Sequence, residues 1–92
     1  MMYQKIRPRS VKRLKQERQY IRLKNFYLYH HPGCEIEGCM APATEIHHKM
    51  GRTGDLLTDT RYFLGVCRPH HNYIESNPAE AKEHGYSLTR TI

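Results

Sequence analysis

Residues 65–75 read "GVCRPHHNYIE", and residues 43–50 read "ATEIHHKM". Each stretch carries two adjacent histidines, His70 with His71 and His47 with His48. Adjacent side chains diverge, by about 100° on a helix and to opposite faces on a strand. One metal ion therefore rarely takes both members of such a pair, and each pair is expected to divide between two tasks. His70 stands three residues after Cys67, a spacing suited to zinc, which leaves His71 free for something else.

The 92 residues leave room for one domain, and a hydrophobic fraction of 38% is low for a globular chain. A domain of this size gains little from its core alone and usually needs a disulfide or metal staple. Three cysteines cannot pair completely within one chain, and no segment has the apolar run of a signal peptide or a membrane span. A reducing, intracellular setting with cysteines as metal ligands is the expectation. Cys34-x4-Cys39 and Cys67-x2-His70 form two turn-borne ligand pairs that together make a tetrahedral structural Zn2+ site.

Charge is unevenly spread. Residues 1–30 hold nine Lys/Arg and one acid, Glu17, for +8, while the remainder has six bases and eight acids, for −2. A basic arm on a mildly acidic body fits a polyanion, because clustered cations displace phosphate counterions. A solvated helix face explains the same charges. Lys12, Lys15 and Arg22 are the candidate nucleic-acid contacts on this arm, with Arg52 and Arg61 beside the central loop as candidate phosphate neutralisers.

Ser10 is placed to cap a helix over "VKRLKQERQYIRLKNFYLY", ending before Pro32. Val11, Leu14, Ile21 and Leu28 share one face, widened by Tyr20, Leu23 and Tyr27. "GCEIEGCMAPA" reads as a turn, "TEIHHKM" and "RYFLGVC" as two strands of a hairpin, and "GRTGDLLTDT" as the loop between them. It lacks the Gly-Lys-Ser/Thr ending of a phosphate-cradling loop. "PHHNYIESN" opens a short helix with Pro69 in its first turn. Asn77 ends it and caps a last helix, "PAEAKEHG"; His30, His31 and His84 are expected at the surface or at helix ends.

Hydrolysis of a phosphodiester requires a nucleophilic water, a base to deprotonate it and a cation for the leaving oxygen. A histidine uncharged near neutral pH can be that base, and its neighbour can ligate the cation. The run "EIHHKMGRTGDLLTDTRYFLGVCRPHHNYIESNP" (45–78), with the turn "P.CE...C" before it, resembles the HNH (ββα-metal, His-Me finger) endonucleases. The likeness is to the small zinc-containing proteins of that family from bacteriophages. It covers about residues 20–87 and implies an α+β fold, a zinc-stapled ββα-metal core preceded by a long basic helix. One nuclease domain over 1–92 follows, with arm and helix 1–31, core 32–87 and tail 88–92.

Carried onto this chain, the resemblance makes His48 the general base and His47 and His71 ligands of a catalytic divalent ion, Mg2+, Mn2+, Ni2+ or Zn2+. Glu75 takes the third ligand position, where relatives often have His or Asn; its oxygen suits magnesium or manganese. The family's central Asn falls at Tyr62, which would have to hold His48 through its backbone carbonyl. The implied partner is DNA, nicked with low sequence specificity in the cytoplasm of a bacterial host, with no membrane role; some relatives act beside the phage packaging terminase. A non-catalytic zinc module that only binds nucleic acid is the alternative. A third reading docks the tyrosine-rich helix on a larger protein.

Overall fold

A computed structural model describes residues 10–89. The beginning of the basic arm (1–9) and the end of the tail (90–92) lie outside the described residues. Helix α1 (Val11–His30) opens where expected, with Ser10 Oγ accepting from the Arg13 N–H at 3.0 Å. It closes at His31, whose N–H reaches the Tyr27 carbonyl, and Pro32 prevents continuation. Strands β1 (Glu45–His48) and β2 (Phe63–Val66) form an antiparallel hairpin, followed by helices α2 (Arg68–Ser76) and α3 (Pro78–Glu83). The fold is therefore a small α+β unit. No helix among the described residues is long and apolar enough to cross a membrane.

Pairing sets Glu45 opposite Val66, His47 opposite Leu64 and His48 opposite Phe63. The two-residue period turns Ile46 and His48 into the interior and leaves Glu45 and His47 half-buried on the other face. β2 is buried throughout. Cys34, Leu64, Val66, Cys67, Ile74 and Ala81 form one core cluster, so two of the cysteines sit where the hairpin meets α2 and α3. Gly65 allows a tight crossing there. A Cβ at this position would lie 3.3 Å from Glu35 Oε1 and 3.5 Å from the Tyr27 ring. The same Glu35 oxygen accepts from the Gly65 N–H at 2.7 Å and from the Tyr27 hydroxyl at 2.6 Å, tying α1 to the hairpin.

Two expectations change. Val11 and Ile21 are 69% and 57% exposed, and α1 seats itself through the half-buried Tyr20, Leu23 and Tyr27. Aromatic rings reach the hairpin from a helix that lies across it, so Tyr20 meets His48 and Phe63, and Tyr27 meets Phe63. Residues 54–62, expected as open loop and strand start, instead wind into two 3-10 turns, Gly54–Thr58 and Thr60–Tyr62. The reason is Leu57, which is fully buried and draws the loop inward. Asp59 then caps the second turn through the Arg61 N–H. At the other end Leu88 donates its N–H to the Lys49 carbonyl at 2.7 Å, so the expected tail begins as a segment fastened to the hairpin.

Candidate functional site

Cys34 and Cys39 sit on the turn after α1, where Cys34 N bonds the Ala41 carbonyl, Cys39 N bonds the Ile36 carbonyl, and Gly38 takes φ 82°. Cys67 is the N-cap of α2, and His70 follows in the first turn of that helix. The four ligand atoms lie within 4.8 Å of one another and could hold a metal ion. Tetrahedral zinc with bonds of about 2.3 Å to sulfur and 2.0 Å to nitrogen places donors roughly 3.5–3.8 Å apart. Cys39 and Cys67 sulfurs are 3.9 Å apart, and His70 Nδ1 is 3.8 Å from Cys34 Sγ and 3.2 Å from Cys67 Sγ.

The thiols also carry the electrostatic mark of such a site. Burial disfavours the Cys34 thiolate, but hydrogen bonds from the Ile36 and Cys67 backbones and the neighbouring thiols outweigh it and lower its pKa. Cys39 goes the other way. The Ala41 backbone favours its thiolate, yet burial and the Cys34 and Cys67 sulfurs raise its pKa. Crowded thiols that resist joint ionisation are what a bound cation relieves. Donor set, spacing and electrostatics all fit zinc.

His47, His48 and His71 meet elsewhere. His47, His48, Arg52, His71 and Glu75 border one cleft of about 230 Å³. His47 and His71 rings are 5.4 Å apart between centroids. His71 reaches the cleft from α2, one position past the zinc-type ligand His70, as the divergence of helical neighbours requires. Its Nδ1 lies 2.7 Å from Glu45 Oε1 and its Nε2 lies 3.3 Å from Glu75 Oε1. Glu45, which also pairs with Arg68 at 2.8 Å, orients the His71 ring by accepting from Nδ1, while Nε2 faces the Glu75 carboxylate. Glu45 was missed in the sequence, though its position two before His47 puts it on the same strand face.

His48 is buried, at 6% exposure, with Nε2 3.1 Å from the Leu57 carbonyl. A carbonyl only accepts, so Nε2 carries the proton and Nδ1 is left with a lone pair. Burial above all drives its pKa down to about 4; Arg52, His47 and His71 push the same way, against the Leu57 hydrogen bond. It is uncharged at neutral pH. Burial and the neighbouring His71 likewise lower the pKa of His47.

Tyr62 does not hold His48. The hairpin register sets the Tyr62 carbonyl against the Lys49 N–H at 2.8 Å, and the 3-10 turn delivers Leu57 to His48 instead. His47 Nε2 meets Ser87 Oγ at 3.1 Å, a partner from beyond α3 that no local pattern announces. Among the described residues, no other group of three or more His, Cys, Asp or Glu converges as the Cys/His tetrad does.

The two loop arginines part company. Arg52 lies over the Tyr20 ring, its carbonyl accepts from Arg13, and it borders the cleft. Arg61 makes a forked pair with Asp59, Nε to Oδ1 at 2.9 Å and Nη2 to Oδ2 at 2.7 Å, and is committed there. Lys12, Lys15 and Arg22 are exposed on α1. His30, His31 and His84 are exposed at helix ends, as expected. Comparison with protein-family models, with curated proteins and with solved structures returned no match.

Proposed function

We propose that the protein is a metal-dependent DNA endonuclease of the HNH type, whose tetrad of Cys34, Cys39, Cys67 and His70 is a structural zinc site and whose histidine cleft is the active site. One observation carries the reading: a buried, uncharged His48, locked by the Leu57 carbonyl, borders one cleft with its strand neighbour His47 and with His71 and Glu75 from α2. That is the division of base from ligands that the sequence resemblance implies. A core histidine kept only for packing needs no such neighbours.

In this mechanism Arg52 draws a phosphodiester into the cleft and neutralises it. His48 Nδ1 takes a proton from a water poised for in-line attack on phosphorus, while the Leu57 carbonyl stabilises the proton on Nε2. The low pKa of His48 keeps its imidazole uncharged at neutral pH. His47, His71 and Glu75 would hold a divalent ion that supplies positive charge for the departing 3′ oxygen. Glu45 positions His71 for that role, and Ser87 must turn its hydroxyl away from His47 Nε2. The products carry 5′-phosphate and 3′-hydroxyl ends.

Incubation of supercoiled plasmid with Mg2+, Mn2+ or Ni2+ tests this. Wild type is expected to convert it to open circles, and His48→Ala to lose that activity while binding DNA nearly as before. Equal loss of binding and cutting would remove His48 from the base role. A second reading, a zinc module that binds nucleic acid without cutting it, is favoured by one contact: His47 already has a protein partner in Ser87. Absence of nicks with every ion, together with tight salt-sensitive binding, would establish that reading.

A further inference from the structure

The outer side of α1 serves neither the core nor the cleft. Tyr20 points inward, its ring 5.1 Å from that of His48 and under the Arg52 guanidinium at 5.4 Å. At about 100° per residue, Arg18 and Arg22 each point roughly 160° away from Tyr20, and Lys15 about 140° away. All three are exposed, as is Lys12. No acid stands among the exposed positions of α1; Glu17 lies on the half-buried side, 3.8 Å from Arg13.

An isolated helix gains nothing from this arrangement. The first turn has no acid, so Lys12 there opposes the helix dipole unrelieved. Lys12 with Lys15, Lys15 with Arg18 and Arg18 with Arg22 fall at repulsive three- and four-residue spacings. A polyanion along the face would reverse every one of these penalties. Phe26 and Tyr29, 66% and 80% exposed, continue the same side toward the C-terminal end. Basic and apolar side chains mix around this face. A lipid surface would instead require a continuous apolar side.

DNA seated in the cleft lies on the Tyr20 side of α1, with the thickness of a helix, about 10–12 Å, between it and the outer cations. We propose that the outer face of α1 is a second nucleic-acid site, which grips the phosphate backbone of a segment other than the one in the cleft. Lys15, Arg18 and Arg22 hold the phosphates, and Phe26 and Tyr29 offer rings at the end of the track. One chain then bridges two DNA segments. The inference rests on the DNA reading of the cleft for its partner, and not on catalysis.

The test uses full-length His48→Ala protein, beads carrying one duplex and a labelled second duplex in solution. Protein-dependent capture of the second duplex is expected. Arg22→Glu in that background should lower capture at least fivefold, and Lys82→Glu, the same charge change on α3, should leave it nearly intact. No capture, or equal loss with both substitutions, would overturn the proposal. So would capture confined to a dimer in sedimentation, or preference for phosphatidylserine vesicles over DNA at equal salt. Failure of the nuclease reading appears separately, as a wild type that does not nick plasmid.

Discussion

Two histidine-bearing regions lie on either side of one peptide bond, between His70 and His71, and they are held in opposite ways. The tetrad closes on itself: three thiols and one imidazole lie within 4.8 Å of one another. The cleft is held open by protein contacts, with Glu45 on His71, Leu57 on His48 and Ser87 on His47. A closed set of ligands stabilises a fold with few buried side chains. Separately supported imidazoles are held one by one along the cleft, each by a different partner.

The largest expected effect breaks the closed region. Cys67→Ala should remove tight zinc and the cooperative thermal transition together, since metal binding free energy is folding free energy at such sites. Melting curves with and without a chelator check it. A variant that still melts cooperatively would separate the tetrad from stability.

In the cleft, His48→Ala should slow nicking by about 10²–10⁴-fold, the usual contribution of a general base. The fold should survive. Gel quantitation of open circles measures the first part and circular dichroism the second.

A pH series sharpens the contrast further. The pKa of His48 falls from 6.5 unfolded to about 4 folded, so between those values the unfolded chain binds a proton that the native chain refuses. The stability that His48 contributes is complete above pH 6.5 and is lost as pH falls toward 4. The loss is at most roughly 3 kcal/mol, at 1.36 kcal/mol per pH unit. Urea unfolding of wild type and His48→Gln should show the difference between them shrinking in that window. A constant difference would mean that His48 is not buried uncharged.

The smallest effect lies outside both regions. Ser10→Ala should cost about 1 kcal/mol through the lost α1 cap, with zinc content unchanged.

What could be read beforehand follows the range of the interactions. The cap at Ser10, the stop before Pro32, the hairpin and the tetrad rest on short spacings or strong turn signals, and all of these are present. Helical periodicity placed Val11 and Ile21 on the same face as Leu14 and Leu28, but tertiary packing chose the Tyr20–Tyr27 side. The Leu57 carbonyl at His48 depends on how a loop folds back, and backbone groups carry no residue-type signal. Ser87 at His47 bridges forty residues of chain, and nothing nearby in sequence marks it. Glu45 was within reach of strand periodicity once His47 had been singled out.

The most direct measurement is tightly bound zinc per chain in His70→Ala and His71→Ala, purified side by side. His70→Ala is expected to lose the metal and the fold, and His71→Ala to keep both while failing to nick plasmid. Equal zinc loss in the two variants, or retention in His70→Ala, would contradict it.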